Sequence, residues 1–190
     1  MQPPLFKSAE EFDQNLGKFL FNFKRVGAFN VQRFAESWCD RFGVHDFPRD
    51  PRQHLPLLGI GLESASMGRG VRAVWLRTGD QYRIQYSRFL DGRLGLVLWH
   101  EFFEILSAHP RFPSRLPPEA EERLATQFAV HVMMPEMDVR RNAAELRHPH
   151  ELDKTRVLAG RFGVSLMAMR IRLRELGLER FRESFSPHSV

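Results

Sequence analysis

The chain has 190 residues, of which 43% are hydrophobic, and its 17 phenylalanines supply ample material for one packed core. This composition excludes a disordered protein. The formal charge of +5 is spread along the chain, and only residues 151–190 lean positive, with eight basic against five acidic side chains. That distribution excludes a wholly basic nucleic-acid-binding protein and leaves at most a local basic patch.

Cysteine usage and hydropathy restrict the setting in which the chain works. The single cysteine, Cys39, excludes an intramolecular disulfide and a cysteine-rich zinc site, and we expect a reducing, cytoplasmic setting. The first eleven residues lack the long apolar core of a signal peptide. No stretch is long and uncharged enough to cross a bilayer, so we expect no membrane association.

Two amphipathic helices are predicted in the first 43 residues, and both are interpreted as scaffold. Ser8 and Glu11 have the S-x-x-E spacing of a capping box, so the first helix should begin there. Asn30 is placed to cap the second helix, and Gly43 lies just past its end. The apolar positions recur at helical spacing in both segments; they are Phe12, Leu16, Phe19, Leu20 and Phe23, then Val31, Phe34, Ala35, Trp38 and Phe42.

Residues 44–57 are predicted to be a loop because prolines 48, 51 and 56 interrupt the pattern. A short apolar strand is expected around Leu57 to Leu62. The small residues from Ser64 to Gly70 suit a turn or a flexible loop.

A β-hairpin is predicted next, with strands at Val71 to Arg77 and Gln81 to Ser87 and a turn at Thr78-Gly79-Asp80. The alternation of Tyr82, Ile84 and Tyr86 with polar residues indicates a strand buried on one side. Asp91-Gly92 is expected to form the following turn.

The apolar run from Leu94 to Leu106, L-G-L-V-L-W-H-E-F-F-E-I-L, carries His100, Glu101 and Glu104. Charged side chains on a largely buried helix are normally paired or bound to a metal. The spacing is close to H-E-x-x-H, in which two metal ligands lie one helical turn apart. Because residues four apart share a helix face, His100 and Glu104 can hold one metal from the same side. Glu101 on the adjoining face would then act as the general base.

A third ligand has to come from another element, and Glu122 is the best candidate. It lies in the first turn of a second buried helix, predicted over Glu119 to Met134, whose Ala125 and Ala129 permit close approach to a neighbour. His131 is a poor candidate, because nine residues correspond to about 900° of helical rotation and turn it to the opposite side. Taken alone, these features also have ordinary explanations, since H-E-x-x-E arises by chance on solvated helices and glutamates suit a helix N-terminus.

The stretch from Asp153 to Leu178 predicts two further helices joined at Phe162-Gly163-Val164-Ser165. One interpretation is a helix-turn-helix whose arginines contact phosphates. The other, which we favour because Glu175, Glu179 and Glu183 dilute the basic face, is that apolar side chains close the core and the arginines are solvated. The arginines concerned are Arg170, Arg172, Arg174, Arg180 and Arg182.

Three motifs follow one another at plausible spacings. G-R-L-G-L-V-L-W-H-E-F-F-E-I-L resembles the active-site helix of the ImmA/IrrE family of bacterial metallopeptidases, in which a hairpin precedes R-x-x-x-x-L-x-H-E-x-x-H. E-R-L-A-T-Q-F-A-V-H-V-M-M-P, from Glu122 to Pro135, is similar to that family's E-x-x-A-x-x-F-A-x-x-L-L-M-P signature. L-A-G-R-F-G-V-S-L-M-A-M-R-I-R-L-R-E-L-G-L, from Leu158 to Leu178, resembles the family's C-terminal motif. The resemblance covers about residues 30 to 178.

The resemblance implies an α+β, zincin-like peptidase domain, mostly helical with a small β-sheet, over residues 1–150, with residues 151–190 as a helical segment packed on it. It also implies cleavage of a specific regulatory protein, commonly a DNA-binding repressor in a stress-response or mobile-element circuit. By position, His100, Glu104 and Glu122 are the implied metal ligands and Glu101 the catalytic base. The expected cofactor is one divalent metal, with zinc favoured and manganese or iron as alternatives.

Glu104 is a departure from the family's pattern, which has histidine at that position. A carboxylate ligates zinc at a distance similar to that of imidazole, so a site with two glutamates is chemically feasible. The extra negative charge should leave bound water less acidic and favour harder ions such as manganese or ferrous iron. Two other functions stay open: a catalytically silent relative that binds a protein partner, and a DNA-binding regulator that uses residues 153–182.

Overall fold

The computed structural model describes residues 3–90, 94–146 and 151–178. The predicted Asp91-Gly92 turn and two of the arginines named above, Arg180 and Arg182, lie outside these residues. The described ranges contain eight helices and one three-stranded sheet, which confirms the mostly helical α+β class. The elements are α1 (Ala9–Leu20), α2 (Val31–Phe42), α3 (Pro51–Leu57), β1 (Ile60–Ala65), β2 (Ala73–Thr78), β3 (Gln81–Ser87), α4 (Leu94–Ser107), α5 (Pro118–Met133), α6 (Glu136–Glu145), α7 (Glu151–Phe162) and α8 (Leu166–Glu175).

The first two helices begin at the predicted caps, although only one cap works as expected. The Ser8 side chain accepts a hydrogen bond from the backbone N–H of Glu11, which fixes the start of α1. Asn30 is the N-cap residue of α2, but its side chain accepts from the Gly27 N–H and donates to the Arg25 carbonyl. Gly43 ends α2 in the left-handed conformation, with φ of 71°.

The prediction of a loop over residues 44–57 is wrong in its second half, where α3 forms. Asp50 caps this short helix by accepting from the Arg52 N–H, and Pro51 at the first helical position needs no donor partner. Pro56 is tolerated because it lies in the last turn of a seven-residue helix. The following strand, β1, consequently lies closer to the C-terminus than the predicted strand at Leu57 to Leu62.

The sheet has the order β1-β3-β2, with β1 parallel and β2 antiparallel to β3. The predicted hairpin is confirmed as β2 and β3, in register from Ala73 opposite Tyr86 to Thr78 opposite Gln81. The Ser87 N–H donates to the Arg72 carbonyl at 2.8 Å, which extends the pairing by one residue. Strand β2 therefore has one side hydrogen-bonded to β3 and one open edge.

Helix α4 runs through the centre of the hydrophobic core and packs chiefly on α5. Trp99, Phe102 and Phe103 on α4 are fully buried, and Phe102 and Phe103 contact Phe128 of α5 at ring-centroid distances of 6.4 and 5.2 Å. Phe34 of α2 closes the cluster at 5.9 Å from Phe128. Burying an aromatic side chain of this size contributes about 1.5–3 kcal/mol, so the core holds α4 and α5 firmly side by side.

Two buried arginines bind the C-terminal end of α5. Arg49 Nη1 donates to the Val132 carbonyl at 3.0 Å, and Arg172 Nε donates to the Met134 carbonyl at 3.1 Å. Backbone carbonyls at a helix end have no partner within the helix and carry partial negative charge, so cations are stabilising there. For Arg172, which is only 6% exposed, both sequence interpretations are wrong: its guanidinium is neither available to phosphates nor solvated.

The C-terminal helices pack on this same end of α5. Phe162 of α7 lies 4.7 Å from Phe47, and Leu158, Met169 and Leu173 are buried in the common core. The turn between α7 and α8 ends at Ser165, whose hydroxyl accepts from the Ala168 N–H. Helix α6 was not predicted from the sequence. None of the helices in the described ranges has the length and apolar character needed to cross a membrane.

Candidate metal centre

Helix α4 presents its three polar groups on adjoining faces at the edge of the core. Glu101 is buried at 8% exposure, whereas His100 and Glu104 are half-buried. The Nε2 atom of His100 lies 3.6 Å from Oε1 of Glu104, as expected for residues four apart on one helix face. The remainder of α4 is apolar and buried, which fixes the direction in which these polar groups point.

The packing of α5 against α4 brings Glu122 to the same point. Its Oε2 atom lies 3.4 Å from His100 Nε2, and one ligand atom from each of His100, Glu104 and Glu122 lies within 4.8 Å of the others. Within the described ranges this is the one cluster of three or more His, Cys, Asp or Glu side chains with such spacing. The structure therefore brings together the three residues proposed as ligands from the sequence.

The spacing of these atoms fits a shared cation better than direct hydrogen bonds. Two ligand atoms about 2.1 Å from a tetrahedral zinc are separated by about 3.4 Å. The two distances from His100 Nε2, 3.4 and 3.6 Å, are close to that value. They exceed the range of about 2.7–3.2 Å that is typical of N–H···O hydrogen bonds. One imidazole and two carboxylates also form a donor set that divalent metals accept.

The electrostatics of the cluster are dominated by three carboxylates around one imidazole. Burial alone would lower the pKa of His100, but Glu104, Glu122 and Glu101 together outweigh it and raise that pKa. Burial, followed by the nearby Glu104 charge, raises the pKa of Glu101 to about 7. The backbone N–H of Trp75 opposes this shift by hydrogen bonding to the Glu101 carboxylate. A bound cation would relieve the repulsion among these carboxylates.

Thr126 is a functional candidate that the sequence interpretation did not include. Its hydroxyl donates to the Glu122 carbonyl at 3.1 Å and lies 3.3 Å from Nδ1 of His100. Because the hydroxyl hydrogen is directed at the carbonyl, Oγ1 accepts from Nδ1–H, which leaves Nε2 of the imidazole free to bind a metal. The signal available in the sequence was its position four residues after Glu122, on the same helix face.

The cluster opens into a cleft of about 710 Å³ that follows the open edge of β2. The cleft contains all four predicted site residues, with Glu101 beside the three clustered side chains. Apolar side chains line much of the remaining wall, and they are Val71, Val74, Leu96, Val97, Ala129 and Val130. Successive residues of a strand direct their backbone N–H groups to opposite sides of the strand. The N–H of Trp75 reaches Glu101, so the open edge of β2 is the side that faces the cleft.

His131 lies apart from the cluster, in the direction predicted from helical rotation. Its Nδ1 atom is 3.4 Å from Arg172 Nη2, on the side of α5 that packs against α8. Burial, followed by the Arg172 charge, lowers the pKa of His131 to about 4.

Comparison with known protein families agrees with the positions of these side chains. Residues 94–174 match the family model described as the IrrE N-terminal-like domain of peptidase family M78. The matched segment is less than half of the chain, and it supports the resemblance to the ImmA/IrrE family. The match begins at the first residue of α4 and ends within α8, so it includes His100, Glu101, Glu104, Glu122 and Thr126. No curated protein matches the chain.

The mostly helical architecture with one small sheet and this family match together confirm the zincin-like α+β fold class, and the match supports a metallopeptidase-type function. A divalent metal is the cofactor of such peptidases, and His100, Glu104 and Glu122 provide a His/Glu site able to hold one. The match includes the H-E-x-x-E segment and the motif from Glu122 to Pro135, so it supports the resemblance found in the sequence.

Proposed function

We propose that the chain is a metal-dependent endopeptidase that cleaves a specific regulatory protein. The observation that carries this proposal is the convergence of His100, Glu104 and Glu122 beside the buried Glu101, in a cleft that follows an open strand edge. The family match supports the peptidase class. A DNA-binding repressor in a stress-response or mobile-element circuit is our proposal for the substrate, and it follows from the family resemblance. The cytoplasm is our proposal for the compartment, and it follows from the single cysteine.

The side chains have distinct roles in this proposal. His100, Glu104 and Glu122 hold the metal, and the hydrogen bond from His100 to Thr126 keeps Nε2 directed at it. When bound, a divalent metal supplies a Lewis acid that polarises a peptide carbonyl and lowers the pKa of water. Glu101 accepts the proton of the attacking water at its carboxylate and then delivers it to the leaving amine as the C–N bond breaks. Its burial keeps that proton away from bulk solvent.

The cleft suits an extended peptide rather than a compact small molecule. An extended chain can pair with the open edge of β2 through backbone hydrogen bonds, which hold a peptide without regard to its sequence. The apolar wall formed by Val71, Val74 and Leu96 then favours a hydrophobic side chain near the bond that is cleaved. Such a site selects unfolded or exposed segments of a partner protein.

Zinc is the proposed metal, with manganese or ferrous iron as alternatives. Glu104 adds a second carboxylate to the ligand set, and hard oxygen ligands shift the preference toward harder ions. The same substitution motivates a second candidate function, in which the protein is a catalytically silent relative that binds its partner through this cleft. A silent relative would bind its partner equally well in the presence of a chelator, whereas the enzyme would lose activity.

Elemental analysis of the purified protein tests the proposal directly. We expect about one equivalent of a divalent metal in the wild-type protein and in Glu101→Gln, because Glu101 is not a ligand. Glu101→Gln should abolish cleavage of a candidate repressor, and Glu104→His, which restores the usual pattern, should keep the metal. An empty site after reconstitution with zinc, manganese and ferrous iron would contradict the proposal.

A further inference from the structure

A second cleft lies where the end of α1 meets α2. The residues that line it are distant in sequence from those of the metal centre. Its volume is about 730 Å³, and it shares no lining residue with the metal-centre cleft. We call it the basic cleft, because four of its ten lining residues are cationic: Lys24, Arg25, Arg33 and Arg41. Phe19 and Phe23 contribute aromatic surface to the same wall.

The cations of the basic cleft are available to a ligand. All four side chains are exposed, and none of them forms an ion pair with another residue in the part of the chain that the structure describes. The lining contains a single acidic residue, Asp40, which lies 3.9 Å from His45. Four cations against one carboxylate give a concentrated positive field in a concave surface, and such a field attracts polyanions.

The start of α2 adds to this field. Asn30, the N-cap residue, lines the cleft, but its side chain is bonded to Gly27 and Arg25 and makes no capping bond to α2. The N-terminal end of a helix carries partial positive charge. This end therefore has the same sign as the four cations and reinforces their attraction for negative groups.

Two phenylalanines that are next in sequence to lining residues of the basic cleft are almost fully exposed to solvent. Phe21 is 88% exposed and Phe29 is 108% exposed, and each directly neighbours a lining residue, Asn22 or Asn30. The segment between the two phenylalanines contains the cations Lys24 and Arg25. Aromatic side chains that alternate with cations in this way are typical of surfaces on which bases stack while phosphates pair with arginine and lysine.

We propose that the basic cleft binds single-stranded nucleic acid. Phosphates would pair with Arg33, Arg41, Lys24 and Arg25, and bases would stack on Phe21 and Phe29. We favour this ligand over an acidic protein segment because the exposed phenylalanines are separated by cations. A protein interface usually has a contiguous apolar centre. The proposal does not depend on the peptidase function, since the basic cleft contains none of the metal-centre residues.

Fluorescence anisotropy with a labelled oligodeoxythymidine of about 12 nucleotides tests this proposal, because that length lies within common site sizes. The full-length protein is titrated at several salt concentrations in the presence of a metal chelator. We expect binding that weakens with salt. The double variant Arg33→Ala/Arg41→Ala should reduce the slope of log K against log salt by about 1.4, since each phosphate contact on a single strand contributes about 0.7. Phe29→Ser should weaken binding at least about fivefold with little change in slope.

Matched controls separate this site from general surface effects. Phe89→Ser removes another exposed phenylalanine, and Arg83→Ala another exposed arginine, each outside the basic cleft. Both controls should bind the oligonucleotide like the wild-type protein. Absence of binding at low salt, or equal binding by the cleft variants and the controls, would overturn the proposal. Tighter binding of a labelled polyglutamate peptide than of the oligonucleotide would overturn it in favour of an acidic protein partner.

Discussion

The substitution Thr126→Val tests whether the Thr126 hydroxyl holds His100 in the orientation that the proposed metal centre needs. Valine has nearly the shape of threonine but lacks the hydroxyl that lies 3.3 Å from His100 Nδ1. A neutral hydrogen bond contributes about 0.5–1.5 kcal/mol, and loss of a partner behind a metal-bound histidine typically weakens metal binding about 10–100-fold. Because 3.3 Å is slightly longer than a typical hydrogen bond and Thr126 is exposed, the bond is a weak one, and we expect the lower limit, about tenfold.

The measurement is competition for zinc between the protein and a chromophoric chelator at fixed pH. Thr126→Ser is the matched control, because it keeps the oxygen and should bind zinc like the wild-type protein. The free energy of unfolding of the metal-free variants should change by less than about 0.5 kcal/mol, since the side chain is at the surface. A zinc affinity of Thr126→Val within twofold of both other proteins would refute the assignment of the Nδ1–H bond to this hydroxyl.

Three further predictions concern stability, each measured as the free energy of unfolding in urea. First, burial is the main cause that lowers the pKa of His131 to about 4 in the folded protein. Below the ordinary histidine pKa of about 6.5, the unfolded chain therefore binds one more proton than the folded protein. Stability should therefore fall as pH falls from about 6.5 to 4, by about 1–2 kcal/mol after allowance for solvent screening, and His131→Gln should remove this component. Second, Arg172→Met leaves the Met134 carbonyl without its charged donor and should destabilise by about 1.5–3 kcal/mol; a cost below about 0.5 kcal/mol would contradict that role. Third, Gly59→Ala places a Cβ 2.5 Å from the Phe6 carbonyl oxygen at φ of 77° and should destabilise by more than about 2 kcal/mol, whereas an unchanged unfolding midpoint would show that the backbone shifts freely.

The features that were predictable from the sequence are those set by local chemistry. The cap at Ser8, the hairpin turn at residues 78–80 and the apolar α4 follow from short-range patterns, and the structure confirms them. The approach of Glu122 to His100 was also predictable, because small residues on α5 allow close helix packing and a half-buried histidine on an apolar helix requires a partner.

The features that were missed depend on contacts between distant segments. Helix α3 was obscured by its prolines, although Pro51 favours a helix start once Asp50 caps it. Arg172 was interpreted as a surface residue because sequence does not reveal that a carbonyl 38 positions earlier requires a donor. The basic cleft was hidden by the even charge count of residues 1–50, since a count along the chain does not distinguish the cations of one surface from acidic groups elsewhere.

In the proposed metal centre, Glu104 would affect both the retention of the metal and the activation of water. A ligand set of one imidazole and two carboxylates carries one more negative charge than a set of two imidazoles and one carboxylate. The additional charge attracts a divalent cation more strongly, but it also makes that cation a weaker Lewis acid toward water. Without a cation, Glu104 and Glu122 converge on His100, and both raise the pKa of the buried Glu101, so that the negative charges around Glu101 are unfavourable. Replacement of Glu104 by a neutral residue should therefore stabilise the metal-free protein and weaken its hold on the metal, a pair of opposite effects expected only where the carboxylate serves as a ligand.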